Sequence, residues 1–346
     1  MKKILISVFV SLLVLTTAYS TSLLTIVDSA KTVNSNYTLY ELNREKTQLD
    51  YDKGMIEAMN RKAELAAESS RASGENKTQN YLSSFYSEIL NDIFDVKTKE
   101  ISHQSAVLTV KVAEIDYNDK ENLYKKGLVS ENDLKDASLT LQEAKSDLEQ
   151  AKDDLDFATS NYKKDTSLDW ESMDLFIPDY EALLISDDKW LEESLSVEMS
   201  DYSLEMAKYD IQNLSSNSSL YDKKVADISL KQKEIDLELA KESALDQKDN
   251  FEDGLYFTYK GLQTSIERVA IAKEDLEDVQ ERYNKGLVSD TEVYNQEKQY
   301  LSKVSGYNNS LKSYWTTLSS YLLNADSDLE ALIREAVKTM EAKEEE

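Results

Sequence analysis

Few residues in this 346-residue chain are equipped for covalent or metal chemistry. His103 is the only histidine and there is no cysteine, so no soft-metal site can be assembled and no disulfide or thiol-linked lipid is possible. His103 sits in the helix-like run Ile101-Ser102-His103-Gln104, where a structural or solvent-facing role is the plain reading. Acidic residues are abundant but fall at helix-surface spacing, and even the adjacent Asp153 and Asp154 read as a solvated face. No acidic loop has calcium-binding spacing, no glycine-rich loop can cradle phosphate, and no nucleophile motif appears. The chain is therefore expected to be no enzyme, with no catalytic residue, cofactor or metal.

Information lies instead in a repeat. Tyr124-Lys125-Lys126-Gly127-Leu128-Val129-Ser130 returns 159 residues later as Tyr283-Asn284-Lys285-Gly286-Leu287-Val288-Ser289. Glycine accepts the left-handed backbone that ends a helix, and serine starts the next one. An acid follows three residues after each serine, Asp133 and Glu292, at the capping-box position. Each copy thus marks the tip of a helical hairpin.

The elements that carry these tips follow from composition and periodicity. One proline and seven glycines leave few helix breakers. A short helical piece is expected up to about Val33, with a break at Asn34-Ser35-Asn36. Helices are then expected over 37–69 and 79–126, separated by a small polar loop at 69–78 that includes Gly74. The helix after the first tip runs to about Lys164. Residues 165–180 form a linker with Trp170, Phe176 and the single proline, Pro178. The second half repeats the plan: a helix over 180–214, a break at 215–219, a long helix over 220–285 with Gly254 or Gly261 as candidate breaks, and a helix over 290–324. Residues 327–346 form an acidic tail of helical propensity.

Helices this long need a buried apolar seam. After the first tip, Leu134, Leu141, Leu148 and Leu155 recur every seven residues, and Ala137, Ala144, Ala151 and Ala158 recur three later. After the second, Val293, Tyr300, Val304, Tyr307, Leu311, Tyr314, Leu318 and Tyr321 form a stripe, with Glu297 in one seat. The preceding helix offers Leu255, Tyr259, Leu262, Ile266, Val269, Leu276, Val279 and Tyr283. Core packing explains the tyrosines better than a ligand pocket does. The fold class expected is all-α: two repeated long antiparallel helical hairpins, 21–164 and 181–326, with little or no β-structure.

Residues 1–20 read as a secretory signal, with Lys2 and Lys3, an apolar stretch from Ile4 to Thr17, and small residues at Ala18 and Ser20. An uncleaved N-terminal anchor is the alternative. The net charge is −27, and −29 without the two signal lysines. That charge argues against nucleic acid and anionic lipid headgroups as partners. No other stretch is apolar enough for a membrane-spanning helix, so no autonomous span is expected.

A signal sequence, two long repeats and the doubled Gly-Leu-Val-Ser tips inside heptads together resemble the outer membrane efflux protein family, the TolC-like channel-tunnels. The resemblance implies a homotrimer, exported to the periplasm or outer membrane. It implies a tunnel of helices whose tips dock a periplasmic adaptor, and through it an inner-membrane pump. Gly127, Leu128, Val129 and Ser130 would form one docking turn, and Gly286, Leu287, Val288 and Ser289 the other. Family members place acids at the tunnel constriction six and nine positions after the second tip glycine. Here those positions hold Glu292 and Asn295, so only Glu292 keeps the acid, and it also has the capping role. The family's barrel strands would fall at 69–78 and 214–219, and neither gap is long enough for a pair of membrane strands. The chain reads as the tunnel without the pore. A non-transporting periplasmic spacer or tether is the alternative, and an adaptor of the membrane-fusion type fits less well.

Overall fold

The computed structural model of the chain describes residues 23–173, 175–325 and 331. The expected signal segment and acidic tail lie outside them. Among the described residues the fold is all-α, with no strand. A short helix α1 (Leu23–Ala30) leads into α2 (Ser35–Glu57), and Asn34 caps α2 with its side chain. Then come α3 (Arg61–Lys125) and α4 (Glu131–Thr166). A 3-10 turn (Tyr180–Leu183) and α5 (Asp187–Glu193) precede α6 (Leu195–Gln212), α7 (Leu220–Asn284) and α8 (Asp290–Asn324).

The two long helices α3 and α7 each have 65 residues, which makes each about 98 Å long at 1.5 Å per residue. Against α3 pack α2, α4, α6 and α8; against α7 pack α6, α8 and α5. Across the glycine-turn half of the rod the order is therefore α4, α3, α8, α7. Across the other half it is α2, α3, α6, α7. Neighbours run antiparallel throughout.

Three expectations need correction. The loop at 69–78 is absent, because α3 is continuous there and the chain turns at 58–60 instead. The small residues mark close packing: a Cβ on Gly74 would lie 2.5 Å from Thr47 of α2, and one on Gly54 of α2 would lie 2.9 Å from Ala67. The turn is set by Asn60, whose side chain accepts from Ala63 N–H at 3.0 Å. Second, the helix expected over 180–214 is divided at Ser194, which ends α5 and begins α6. Third, α7 is unbroken at Gly254 and Gly261. Both fall on helix flanks, and Gly254 lets Thr317 of α8 approach.

The core is thickest at mid-length, where linker and helices meet. Trp315 and Tyr314 of α8 are buried and bond the linker carbonyls of Phe176 (3.1 Å) and Pro178 (2.5 Å). Trp170 bonds Glu100 of α3 at 2.8 Å and meets the Tyr162 ring edge-on. Buried Lys248 of α7 holds α5 through Asp187 at 2.9 Å and is also paired with Glu252 at 2.8 Å. Burial opposes that ammonium, but the two carboxylates outweigh it and keep the lysine firmly charged.

The alanine seam of α4 is buried at Ala137, Ala144 and Ala158, and packs near Val110 and Ala113 of α3. The α8 stripe is buried as expected at Val293, Leu311, Tyr314, Leu318 and Tyr321. A second buried stripe, Leu301, Asn308, Trp315 and Leu322, runs beside it. Two stripes are needed because α8 lies between α3 and α7. On α7, Ser265 takes the buried seat expected of Ile266, which is 41% exposed.

Candidate functional site

The doubled turn forms the same backbone twice. After α3, Lys126 remains near helical geometry and Gly127 turns left-handed at φ +72°. Gly127 N–H donates to Tyr124 O at 2.8 Å and Leu128 N–H to Leu123 O at 3.0 Å. After α7, Gly286 has φ +74°, Gly286 N–H donates to Tyr283 O at 2.8 Å, and Leu287 N–H to Arg282 O at 2.9 Å. This crossed pair of bonds is a Schellman ending, which needs a residue tolerant of positive φ.

The next helix starts are nearly equivalent. Ser130 accepts from Asp133 N–H at 3.2 Å, and the Asp133 carboxylate accepts from Ser130 N–H at 2.9 Å. The Ser130 hydroxyl and N–H hold Asp133 below the usual carboxylate range. Ser289 accepts from Glu292 N–H at 3.3 Å, but the Glu292 carboxylate does not reach back. It lies 3.5 Å from Arg282 across the turn. The acid considered for a constriction is thus engaged by its own hairpin.

What the turns expose is equivalent too. Leu128 and Leu287 are each 68% exposed, Val129 and Val288 are half-buried, and the serines and glycines face solvent. A leucine in water gains nothing from its exposure, and the fold places one at both tips.

Both turns lie at one pole. Lys111, about 21 Å before the end of α3, stacks its ammonium on the ring of Tyr294, about 6 Å after the start of α8. Farther along, the linker touches both hairpins: Lys97 of α3 bonds the Met173 carbonyl and Trp315 of α8 bonds that of Phe176. Those two side chains are almost equally far from their glycines. The opposite pole holds the turns at 58–60 and 213–219, joined by Lys62 and Asp210 at 2.7 Å.

Among the described residues two edges of the layer have no neighbouring helix, and both carry apolar stripes. On one edge α2 exposes Leu39, Leu42, Leu49 and Ile56, and α4 exposes Leu139 and Phe157. On the other, α7 exposes Tyr221, Ile228, Ile235, Leu239, Phe257 and Ile271. Counted along the helices from the glycine-turn ends of α4 and α7, Leu139 lies about 12 Å and Ile271 about 20 Å along the rod, and Phe157 and Phe257 both about 40 Å. From the far turns, Leu49 and Ile228 lie about 15 Å along, Leu42 and Ile235 about 25 Å, and Leu39 and Leu239 about 30 Å.

At mid-length, Asp92 of α3 is pushed up to about 7 from 3.8, by burial first and then by Asp165, Glu88 and Asp95. One of its oxygens is buried without a hydrogen-bond partner. A carboxyl raised on folding contributes fully at acid pH and loses its contribution as pH rises toward 7. Water screens this partly exposed group, leaving a penalty of about 1–2 kcal/mol above pH 7. Melting temperatures should therefore fall between about pH 4 and 7, and Asp92→Asn should flatten that fall. An unchanged profile in the variant would show that other groups govern it.

No protein-family model and no curated protein matches the chain. Solved structures do. The CmeC outer membrane channel of Campylobacter jejuni is 12% identical, with 90% of this chain and 88% of that chain covered at a TM-score of 0.55. The outer membrane protein VceC of Vibrio cholerae is 10% identical, with 87% and 95% covered at 0.58. A membrane protein from Pseudomonas aeruginosa is 9% identical, with 88% and 90% covered at 0.57. Along nearly its whole length the chain shares the fold of TolC-like outer membrane channels, and its described residues realise that fold in helices alone.

Proposed function

We propose that the chain is one subunit of a trimeric helical conduit of the cell envelope. In this reading the glycine turns engage a periplasmic adaptor, and an inner-membrane pump lies behind it. The observation that carries the reading is the pair of open edges. Each has apolar residues at matched heights, and the helices facing across them would run antiparallel, as every internal pair does. Such edges suit a head-to-tail contact that closes into a ring. The count of three, the adaptor and the export direction follow from the resemblance to TolC-like channels. The spacer reading shares the ring but omits the docking.

The absence of native cysteine makes a direct test clean. In Phe157→Cys/Phe257→Cys, the two thiols lie at the same height on opposite edges, separated by α3 and α8, so they cannot join within one chain. Mild oxidation should give covalent dimers and then a closed trimer on non-reducing gels. Mixing the two single variants should give dimers and nothing larger. Only monomer from the double variant at micromolar concentration would remove the ring.

A further inference from the structure

No described helix covers the stripe on the first half of α7, where Val225, Ile228, Ile235 and Leu239 are exposed. The sequence that follows α8 has a matching stripe. Leu329, Leu332, Ile333, Ala336, Val337 and Met340 recur at the three-four spacing of one helical face. Ala331, which is helical and exposed, falls on the opposite face of that pattern. As a helix, residues 329–340 would rise about 17 Å, and so do residues 231–242 of α7. The starting point is fixed as well. At mid-length α8 ends beside α7, where the Gln247 amide donates to the Asn324 side chain at 3.4 Å. A groove lined by Ser243, Asp246, Gln247 and Asn250 opens at this junction. Asp246 is seven residues after Leu239, so the groove lies on the stripe's side of α7. Counting onward from the junction, antiparallel to α7, brings Ile333 level with Leu239 and Val337 level with Ile235. The acids Glu344, Glu345 and Glu346 then come close to the height of exposed Lys223 and Lys224. The acids of α7 at that height are already engaged, Asp222 by Ser219 and Asp227 by Lys231.

We propose that residues 329–340 form an amphipathic helix that lies along this stripe of their own α7 and covers the ring-closing edge of the unassembled subunit. The inference rests on the ring reading, in which the same stripe receives α2 of a neighbouring copy. Apolar length, helix direction, the point of departure and charge all match. A helix tethered by a few residues acts at an effective concentration of about millimolar, against micromolar subunits in solution, so it takes the edge first. It covers only the first half of α7, whereas a neighbour covers the whole edge. Assembly therefore displaces it, at the cost of the tail's own contact. The tail thus sets a concentration threshold: subunits stay apart while dilute and close into a ring once gathered. The competing occupant of the resting edge is a second copy, and it differs in molecularity.

The test uses the full chain, which has no native cysteine. In Leu239→Cys/Ile333→Cys, oxidation with diamide at a concentration where sedimentation shows monomer should join the two thiols within one chain. Phe257→Cys/Ile333→Cys places its α7 thiol about as far from the Gln247–Asn324 junction in the opposite direction, and should stay reduced. Ile333→Asp/Val337→Asp should lower the concentration of half-assembly at least about tenfold, because the tail no longer competes for the edge. Ala331→Asp, on the outer face, should assemble as wild type does. Equal oxidation of the two cysteine pairs, thiols that join only between copies, or a tail variant that assembles at the wild-type concentration would each overturn the proposal. Failure of the ring reading looks different: Phe157→Cys/Phe257→Cys would give no closed trimer even with the tail substitutions added, while the bond from Leu239→Cys to Ile333→Cys still formed.

Discussion

Replacing Trp315 with alanine is expected to cost about 3–5 kcal/mol of stability. Its side chain ties α8 to the linker. Trp315 is 1% exposed, meets the Phe176 ring edge-on at 5.1 Å between centroids, and donates its indole N–H to the Phe176 carbonyl at 3.1 Å. Truncation therefore opens a cavity and leaves the half-buried Phe176 carbonyl without its indole partner in one step. It also removes one of the bonds by which α8 holds the linker, leaving the Tyr314 hydroxyl on the Pro178 carbonyl. Trp315→Phe separates the terms, keeping most of the packing while losing the bond, and should cost about 1–2 kcal/mol. Phe257→Ala, at an exposed α7 position, should change the monomer's stability little. Thermal and urea unfolding read all three. A Trp315→Ala protein as stable as wild type would mean that the mid-length cluster does not hold the hairpins together.

The second large effect is expected at the tips. Leu128→Asp with Leu287→Asp should leave helicity and melting unchanged while reducing adaptor capture at least about a hundredfold, if each leucine acts as an interface anchor worth about 2 kcal/mol. Leucine is the right position to alter. Gly127 and Gly286 have open space around them, with nothing within 4 Å of an added Cβ, but their φ values of +72° and +74° strain other side chains. A glycine variant would thus mix lost docking with a damaged helix end. Capture of the cognate periplasmic adaptor by tagged protein reads the effect. Equal capture by wild type and the leucine variant would leave the spacer reading in place of the docking one.

The sequence made the turns legible because their chemistry is local. A glycine at the left-handed position and a serine three residues later encode a helix end and a helix start whatever lies around them. The seams were legible because heptads are. What stayed hidden depends on the identity of the neighbour. The small residues near Gly74 look like a loop until α2 is laid against them. Trp315 and Leu322 look like an off-register face until α8 is found between two long helices. The stripes of α2 and of the first part of α7 have the same spacing as internal seams, and nothing in them says that no described helix of this chain packs against them. At the tips, the motif located the turns, but the outward direction of both leucines needed the backbone.

The up-and-down order α4, α3, α8, α7 has a further consequence. In the proposed ring each subunit contributes an even number of staves, so its two margins always have opposite polarity. Any whole number of copies then closes without setting two staves in the same direction. Deleting a single stave would break that parity and force one parallel contact per copy, whereas deleting or duplicating an entire hairpin would preserve it. Viable changes in the girth of such a cylinder should therefore come in steps of two.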